Sequence, residues 1–150
     1  MRRELPGGFE LDDDRARIDA AAVHDFLSNH AYWAKGRPLA TVERLIGDAQ
    51  RVVGLYYEGR QIGFTRTVSD GASVAYLADV YVLPEYRGRG LGVELVRETV
   101  EAGPYKDARW LLHTADAHAL YAKFGFRKPG ERLLERDRRP PAPPAAPPDT

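Results

Sequence analysis

The feature that most constrains this fold is a change of hydrophobic period at Gly90. Before it, the runs Arg51–Tyr57, Gln61–Val68 and Val74–Leu83 are rich in Val, Ile, Tyr, Phe and Thr. They are separated by Glu58-Gly59-Arg60 and Ser69-Asp70-Gly71, which are hairpin signals, so three antiparallel strands are predicted. After it, Leu91, Leu95, Val96 and Val100 are apolar while Glu94, Arg97, Glu98 and Glu101 are charged, until Gly103-Pro104 interrupts the pattern. That spacing is an amphipathic helix. The next β-rich run, Arg109–Thr114, should return parallel to the strand before the helix, because strand–helix–strand crossovers pack that way. The predicted class is α/β in the α+β sense: a mixed central sheet with antiparallel N-terminal strands, a parallel central pair and flanking helices.

The remaining elements follow from weaker signals. Phe9–Leu11 reads as a short first strand, and Asp19 can cap a helix over Ala20–Ser28 that carries Val23, Phe26 and Leu27 on one face. Further helices are predicted over Leu39–Asp48 and Ala117–Lys123, the latter ended by Gly125. The stretch from Arg139 to Thr150 holds six of the 11 prolines and has neither period. It reads as a disordered tail biased to polyproline II, leaving residues 1–138 as one domain and 139–150 as an appendage.

Composition removes several functional classes. There is no cysteine, hence no disulfide framework, thiolate zinc site or cysteine nucleophile, and the four histidines match no zinc spacing. No metal is expected. Basic and acidic residues balance at 22 each, so no whole-protein field favours nucleic acid or an anionic membrane. No apolar run approaches the roughly 20 residues of a membrane span, and Met1–Pro6 lacks the apolar core of a signal peptide. The expected location is cytoplasmic, and the expected assembly a monomer or homodimer.

An anionic ligand would therefore need a local site, and Arg87-Gly88-Arg89-Gly90-Leu91-Gly92 supplies one. Three glycines lie between a strand and a helix start, where backbone N–H groups converge and the helix dipole favours negative charge. Arg87 and Arg89 add charge suited to a pyrophosphate. A Walker loop would place Lys and then Ser or Thr after the last glycine, whereas Val93-Glu94 follow; the dinucleotide fingerprint needs G-x-G-x-x-G, whereas the spacing is G-x-G-x-G.

This loop resembles the [QR]-x-x-G-x-[GA] pattern of the GCN5-related N-acetyltransferases, placed after a strand ending Val80-Tyr81-Val82-Leu83-Pro84-Glu85-Tyr86. About thirty residues on, Ala117-His118-Ala119-Leu120-Tyr121-Ala122-Lys123-Phe124-Gly125-Phe126 is similar to that family's A-x-x-L-Y-x-k-x-G-F block. The resemblance implies acetyl-CoA as co-substrate and direct attack of an amine on the thioester, with no enzyme nucleophile. It assigns the backbone of Val80, Tyr81 and Val82 to the pantetheine arm, with an N–H near Val82 polarising the acetyl carbonyl. It assigns Arg87, Gly88, Arg89, Gly90, Leu91 and Gly92 to the pyrophosphate, and Tyr121 to protonating the departing thiolate.

Two departures stand out. Leu77-Ala78-Asp79 is similar to the strand in spermidine/spermine acetyltransferases that reads Leu-Glu-Asp, so Ala78 replaces the glutamate assigned there as base. Asp79 can act through water, anchor the substrate cation, or be a buried carboxylate satisfied by neighbouring backbone. Thr114 stands where the family often has an asparagine contacting the cofactor, and His113, Asp116 and His118 surround it.

The acceptor region implied by the resemblance contains Tyr32, Trp33, Lys35 and Arg37. Tyr32, Trp33 and Arg37 are candidates for binding a small-molecule amine, one bearing an acid as well; the alternative has the aromatics packing the loop and Lys35 and Arg37 solvated. Three functions stay open: an acetyltransferase acting on a small-molecule amine, an acyl-CoA-binding sensor with little catalysis, and an acetyltransferase of protein lysines or N-termini.

Overall fold

The computed structural model describes residues 1–138; the tail expected over 139–150 lies outside the described residues. Six strands form one sheet in sequence order: β1 (Arg2–Leu5), β2 (Phe9–Asp12), β3 (Arg51–Tyr57), β4 (Arg60–Ser69), β5 (Val74–Val82) and β6 (Arg109–Leu112). The helices are α1 (Ala20–His30), α2 (Leu39–Asp48), α3 (Leu91–Val100) and α4 (His118–Ala122). β1 to β5 pair antiparallel and β5 with β6 parallel, so the mixed sheet holds. The parallel pair closes one end of the sheet instead of its centre, since β6 is the last strand among the described residues.

β1 had no counterpart in the sequence reading. Its residues Arg2-Arg3-Glu4-Leu5 carry a single apolar side chain, as suits an edge strand, and pairing with β2 rather than burial makes it a strand. The turn at Glu58-Gly59 has both residues at positive φ, 50° and 80°, the type I′ form whose twist matches a hairpin. Asp19 caps α1 by accepting from the Ala22 N–H at 3.0 Å, and α1 runs two residues beyond Ser28.

Alternation along the strands assigns the helices to faces. Val52, Phe64 and Tyr81 pack with Val23, Phe26, Leu27, Val42 and Ile46 of α1 and α2. On the opposite face Val53, Leu55 and Ile62 pack with Leu91 and Leu95 of α3. Leu77, Val96, Val100 and Tyr121 form a third cluster that holds α4 to β5 and α3. No helix among the described residues is long and apolar enough to cross a membrane.

Candidate active site

The site begins where the sheet splits. The parallel ladder ends at Leu77 opposite Leu112, yet β5 continues to Val82. Beyond Leu77 one edge of β5 is open, and a cleft of about 840 Å³ lies along it. Strand geometry decides which groups face it. The Leu83 N–H donates to the Ile62 carbonyl at 2.8 Å, so Leu83 and, two residues back, Tyr81 turn their polar groups to β4. Val80 and Val82 therefore point theirs at the cleft, and the Val82 carbonyl accepts from Arg87 Nε at 3.0 Å. Of the three backbone units assigned to the pantetheine arm, Tyr81's is engaged with β4.

The glycine-rich loop closes one end of the cleft. Gly88 and Gly90 have φ of 81° and 77°, a left-handed backbone that other residues adopt at a cost, and Gly90 caps α3. The first bond of α3 runs from the Glu94 N–H to the Gly90 carbonyl, leaving the N–H groups of Leu91, Gly92 and Val93 without an intrahelical partner. Gly92 is already helical, and a Cβ built on it would meet no atom within 4 Å. Packing within the protein does not call for glycine there. A small residue leaves open space beside the free N–H groups, which fits a pyrophosphate. Glu94 turns away to Arg3 and Arg97, so no carboxylate blocks the helix start. Arg87 lines the cleft; Arg89 is exposed outside it, and Leu91 offers the loop only its backbone, its side chain being buried in the core.

Tyr121 lines the same cleft from α4, with its ring edge-on to Phe126. Burial pushes its phenol up to about 12, so the group is a proton donor across the physiological range. Thr114 faces the cleft and its Oγ1 accepts from the Ala117 N–H at 3.0 Å, starting α4.

The other end of the cleft is built around Asp79. Between the pairs Phe64–Tyr81 and Arg66–Ala78, Thr65 alone faces both Asp79 and Val80, a β-bulge with Asp79 at φ 56°. Three side chains hold that carboxylate: Trp33 Nε1 donates to Oδ1 at 2.9 Å, and Arg37 Nη1 and Arg66 Nε donate to Oδ2 at 2.9 and 2.8 Å. Asp79 is thus satisfied by side chains from the α1–α2 loop and β4 and not by backbone. Trp33 and Arg37 come together here, and Arg37 is mostly buried instead of solvated, while Lys35 is exposed. Tyr32 Oη accepts from the Ala115 N–H at 2.8 Å, strapping the α1–α2 loop to the β6–α4 loop.

Arg66 and Tyr76 were missed in the sequence. Arg66 is the one charge inside an otherwise uncharged run, Ile62 to Val68, which is the signal that would have found it. Tyr76 Oη bonds His113 Nδ1, and His113 Nε2 bonds Glu135. His113 and Asp116 line the cleft; His118 opens α4 on an exposed face. No cluster of metal-ligating side chains occurs among the described residues.

A sheet split beside a helix start with free N–H groups, the split joining its two faces, fits an acyl-CoA-dependent acyltransferase. Comparison with known proteins agrees. The Acetyltransferase (GNAT) domain family matches residues 48–128. A Gibberella zeae protein named as an acetyltransferase, FG08082, is 33% identical over 81% of this chain and 80% of its own length. A GNAT-family crystal structure from Xanthomonas campestris pv. campestris is 38% identical, with a TM-score of 0.83 over 90% of this chain and 96% of that one. A Bacillus subtilis protein named for alanine N-acetylation of ribosomal protein bS18 is 40% identical over 39% of this chain and 42% of its own. The chain belongs to the GNAT family and is an acetyltransferase.

Proposed function

We propose that this enzyme transfers the acetyl group of acetyl-CoA to the primary amine of a small molecule, by direct attack in a ternary complex. The observation that carries the reading is the split between β5 and β6, which joins the helix start and Tyr121 on one side to the Asp79 cluster on the other. Bound acetyl-CoA supplies an activated thioester carbonyl. The N–H groups of Leu91, Gly92 and Val93, with Gly88, Gly90 and Arg87 around them, hold its pyrophosphate. Val80 and Val82 pair with the pantetheine arm along the open edge, and the Val82 N–H polarises the carbonyl. Thr114 lines the wall near that arm.

An alkylammonium ion is mostly protonated at neutral pH and must lose a proton before attack. Both Asp79 oxygens already accept hydrogen bonds, which supports Asp79 as the anchor of the acceptor site, with the proton leaving through water. Tyr121, which burial keeps protonated, then donates its phenolic proton to the sulfur leaving group as the thiolate departs.

The relative named for ribosomal-protein alanine acetylation brings a second reading, a peptide N-terminus as acceptor. The Tyr32–Ala115 strap narrows the acceptor end and favours a compact molecule over an extended chain. The deciding experiment is thiol release from acetyl-CoA against a panel of small amines and short peptides, with mass spectrometry locating the product. Turnover on peptides with silence on every small amine would overturn the proposal.

A further inference from the structure

We infer that the acceptor carries a carboxylate besides its amine, and that Arg37 and Arg66 hold this carboxylate in the acceptor end of the cleft. The acceptor class named here presupposes the amine acetylation proposed above. Asp79 brings one negative charge to a cluster with two guanidinium ions, whose side chains are only 18% and 12% exposed. Trp33 already satisfies Oδ1, and one guanidinium would satisfy Oδ2. The second arginine is therefore a surplus positive charge, largely desolvated and facing a cavity, which is costly unless an anion joins it. Arginine cannot shed this charge by deprotonation.

The other charged groups around the cleft do not cancel the surplus. Arg87 lies at the pyrophosphate loop and Lys123 just beyond α4, and both are cationic. Asp116 lies in the β6–α4 loop, and Glu135 is engaged with His113. Among the described residues no carboxylate but Asp79 is within ion-pair distance of Arg37 or Arg66. His30 and His113 also line the cleft and bring no negative charge to it.

The geometry suits a planar anion. A guanidinium has five N–H donors, and Asp79 takes one from each arginine. Both forks are anchored at one atom, Asp79 Oδ2, and Trp33 fixes the carboxylate's other oxygen, so the remaining donors are pre-organised for bidentate capture. Asp79 is held at φ 56° on a bulge, a backbone state that costs stability and persists where surrounding contacts impose it. The amine end of the acceptor then extends along Tyr76 and Ala78 toward Val82, where the thioester would lie.

The test is a set of matched acceptors differing only at the acid: an amino acid, its carboxamide and the corresponding decarboxylated amine, each measured for kcat/KM with acetyl-CoA saturating. The acid should exceed its carboxamide by about 10- to 100-fold, the size of one or two charge-assisted hydrogen bonds. Arg66→Met, which keeps much of the aliphatic stem, should bring that ratio toward one, and Arg66→Lys, which keeps the charge but loses the fork, should lower it part of the way. Equal or better use of the carboxamide across the series overturns the inference, and so does an unmoved ratio in a folded Arg66 variant. If Arg66→Met does not fold, the acid-to-amide ratio of the parent and of Arg66→Lys decides alone. If every amine is silent, amine acetylation fails first, and the pocket is judged by calorimetric titration of the CoA-loaded protein with the same acids and amides. Tighter binding of the acids then supports the carboxylate site; equal binding, or none, overturns it.

Discussion

Gly92→Leu separates a helix that merely tolerates glycine from one that keeps a small residue for a ligand, since the [GA] position of the loop pattern admits nothing larger than alanine. Gly92 is the second residue of α3, and a Cβ there would meet no protein atom within 4 Å, so no clash opposes the start of a side chain. Leucine, nearly as good a helix former as alanine, is favoured over glycine by up to about 1 kcal/mol in a helix interior, and by roughly half of that in the first turn, where its N–H makes no intrahelical bond. A gain of about 0.5 kcal/mol raises Tm by roughly 2 °C for a domain of this size. The same side chain adds bulk on the cleft lining beside the Leu91, Gly92 and Val93 N–H groups. Losing one charge-assisted hydrogen bond there, at about 1.5–3 kcal/mol, weakens acetyl-CoA binding by roughly 10- to 100-fold. Thermal melting without ligand and calorimetric titration with acetyl-CoA measure the two effects on one variant. A more stable protein that binds less is the expected signature. A Kd within twofold of the parent would refute the pyrophosphate assignment, whatever happens to Tm.

Three further outcomes are expected. Tyr121→Phe keeps the ring packed against Phe126 but removes the donor, so kcat should fall by roughly 10²- to 10⁴-fold with acetyl-CoA affinity little changed; a loss within about threefold would return Tyr121 to a packing role. Asp79→Ala strands two mostly buried guanidinium ions and should cost about 3 kcal/mol in urea unfolding, whereas a loss below about 1 kcal/mol would mean that the cluster is not cohesive. Burial pushes the phenols of Tyr56 and Tyr121 from their ordinary value near 10 up to about 12. Folding thus favours the protonated form: this stability is complete below pH 10 and is lost as pH rises from there toward 12. Tm followed against tyrosinate absorbance should fall across that window, and a flat Tm to pH 11.5 would contradict the burial of both hydroxyls.

The legible parts of the site were those encoded locally. The glycine-rich loop and Tyr121 could be singled out because each sits in a contiguous block, and both line the cleft. The Asp79 cluster was half visible. Trp33, Arg37 and Asp79 were each singled out, yet nothing in their spacing indicates that they meet. Arg66 and Tyr76 went unread because a charge or phenol in a strand acquires a role only from the face that it shares with neighbours.

Local periodicity, turn chemistry and capping were enough to place the hairpins around Glu58-Gly59 and Ser69-Asp70-Gly71, α1 behind its Asp19 cap, and α3 behind Gly90. These choices are made within a few residues by backbone sterics and the burial of one face. Long-range pairing is what makes Arg2–Leu5 a strand, stops the ladder between β5 and β6 at Leu77, and sets Thr65 opposite two residues of β5. Each of those depends on which chain segment lies alongside, since an inter-strand hydrogen bond belongs to two segments and cannot be read from either one. The cleft is a consequence of such a pairing coming to an end, which is why its two walls could be listed from the sequence but not joined.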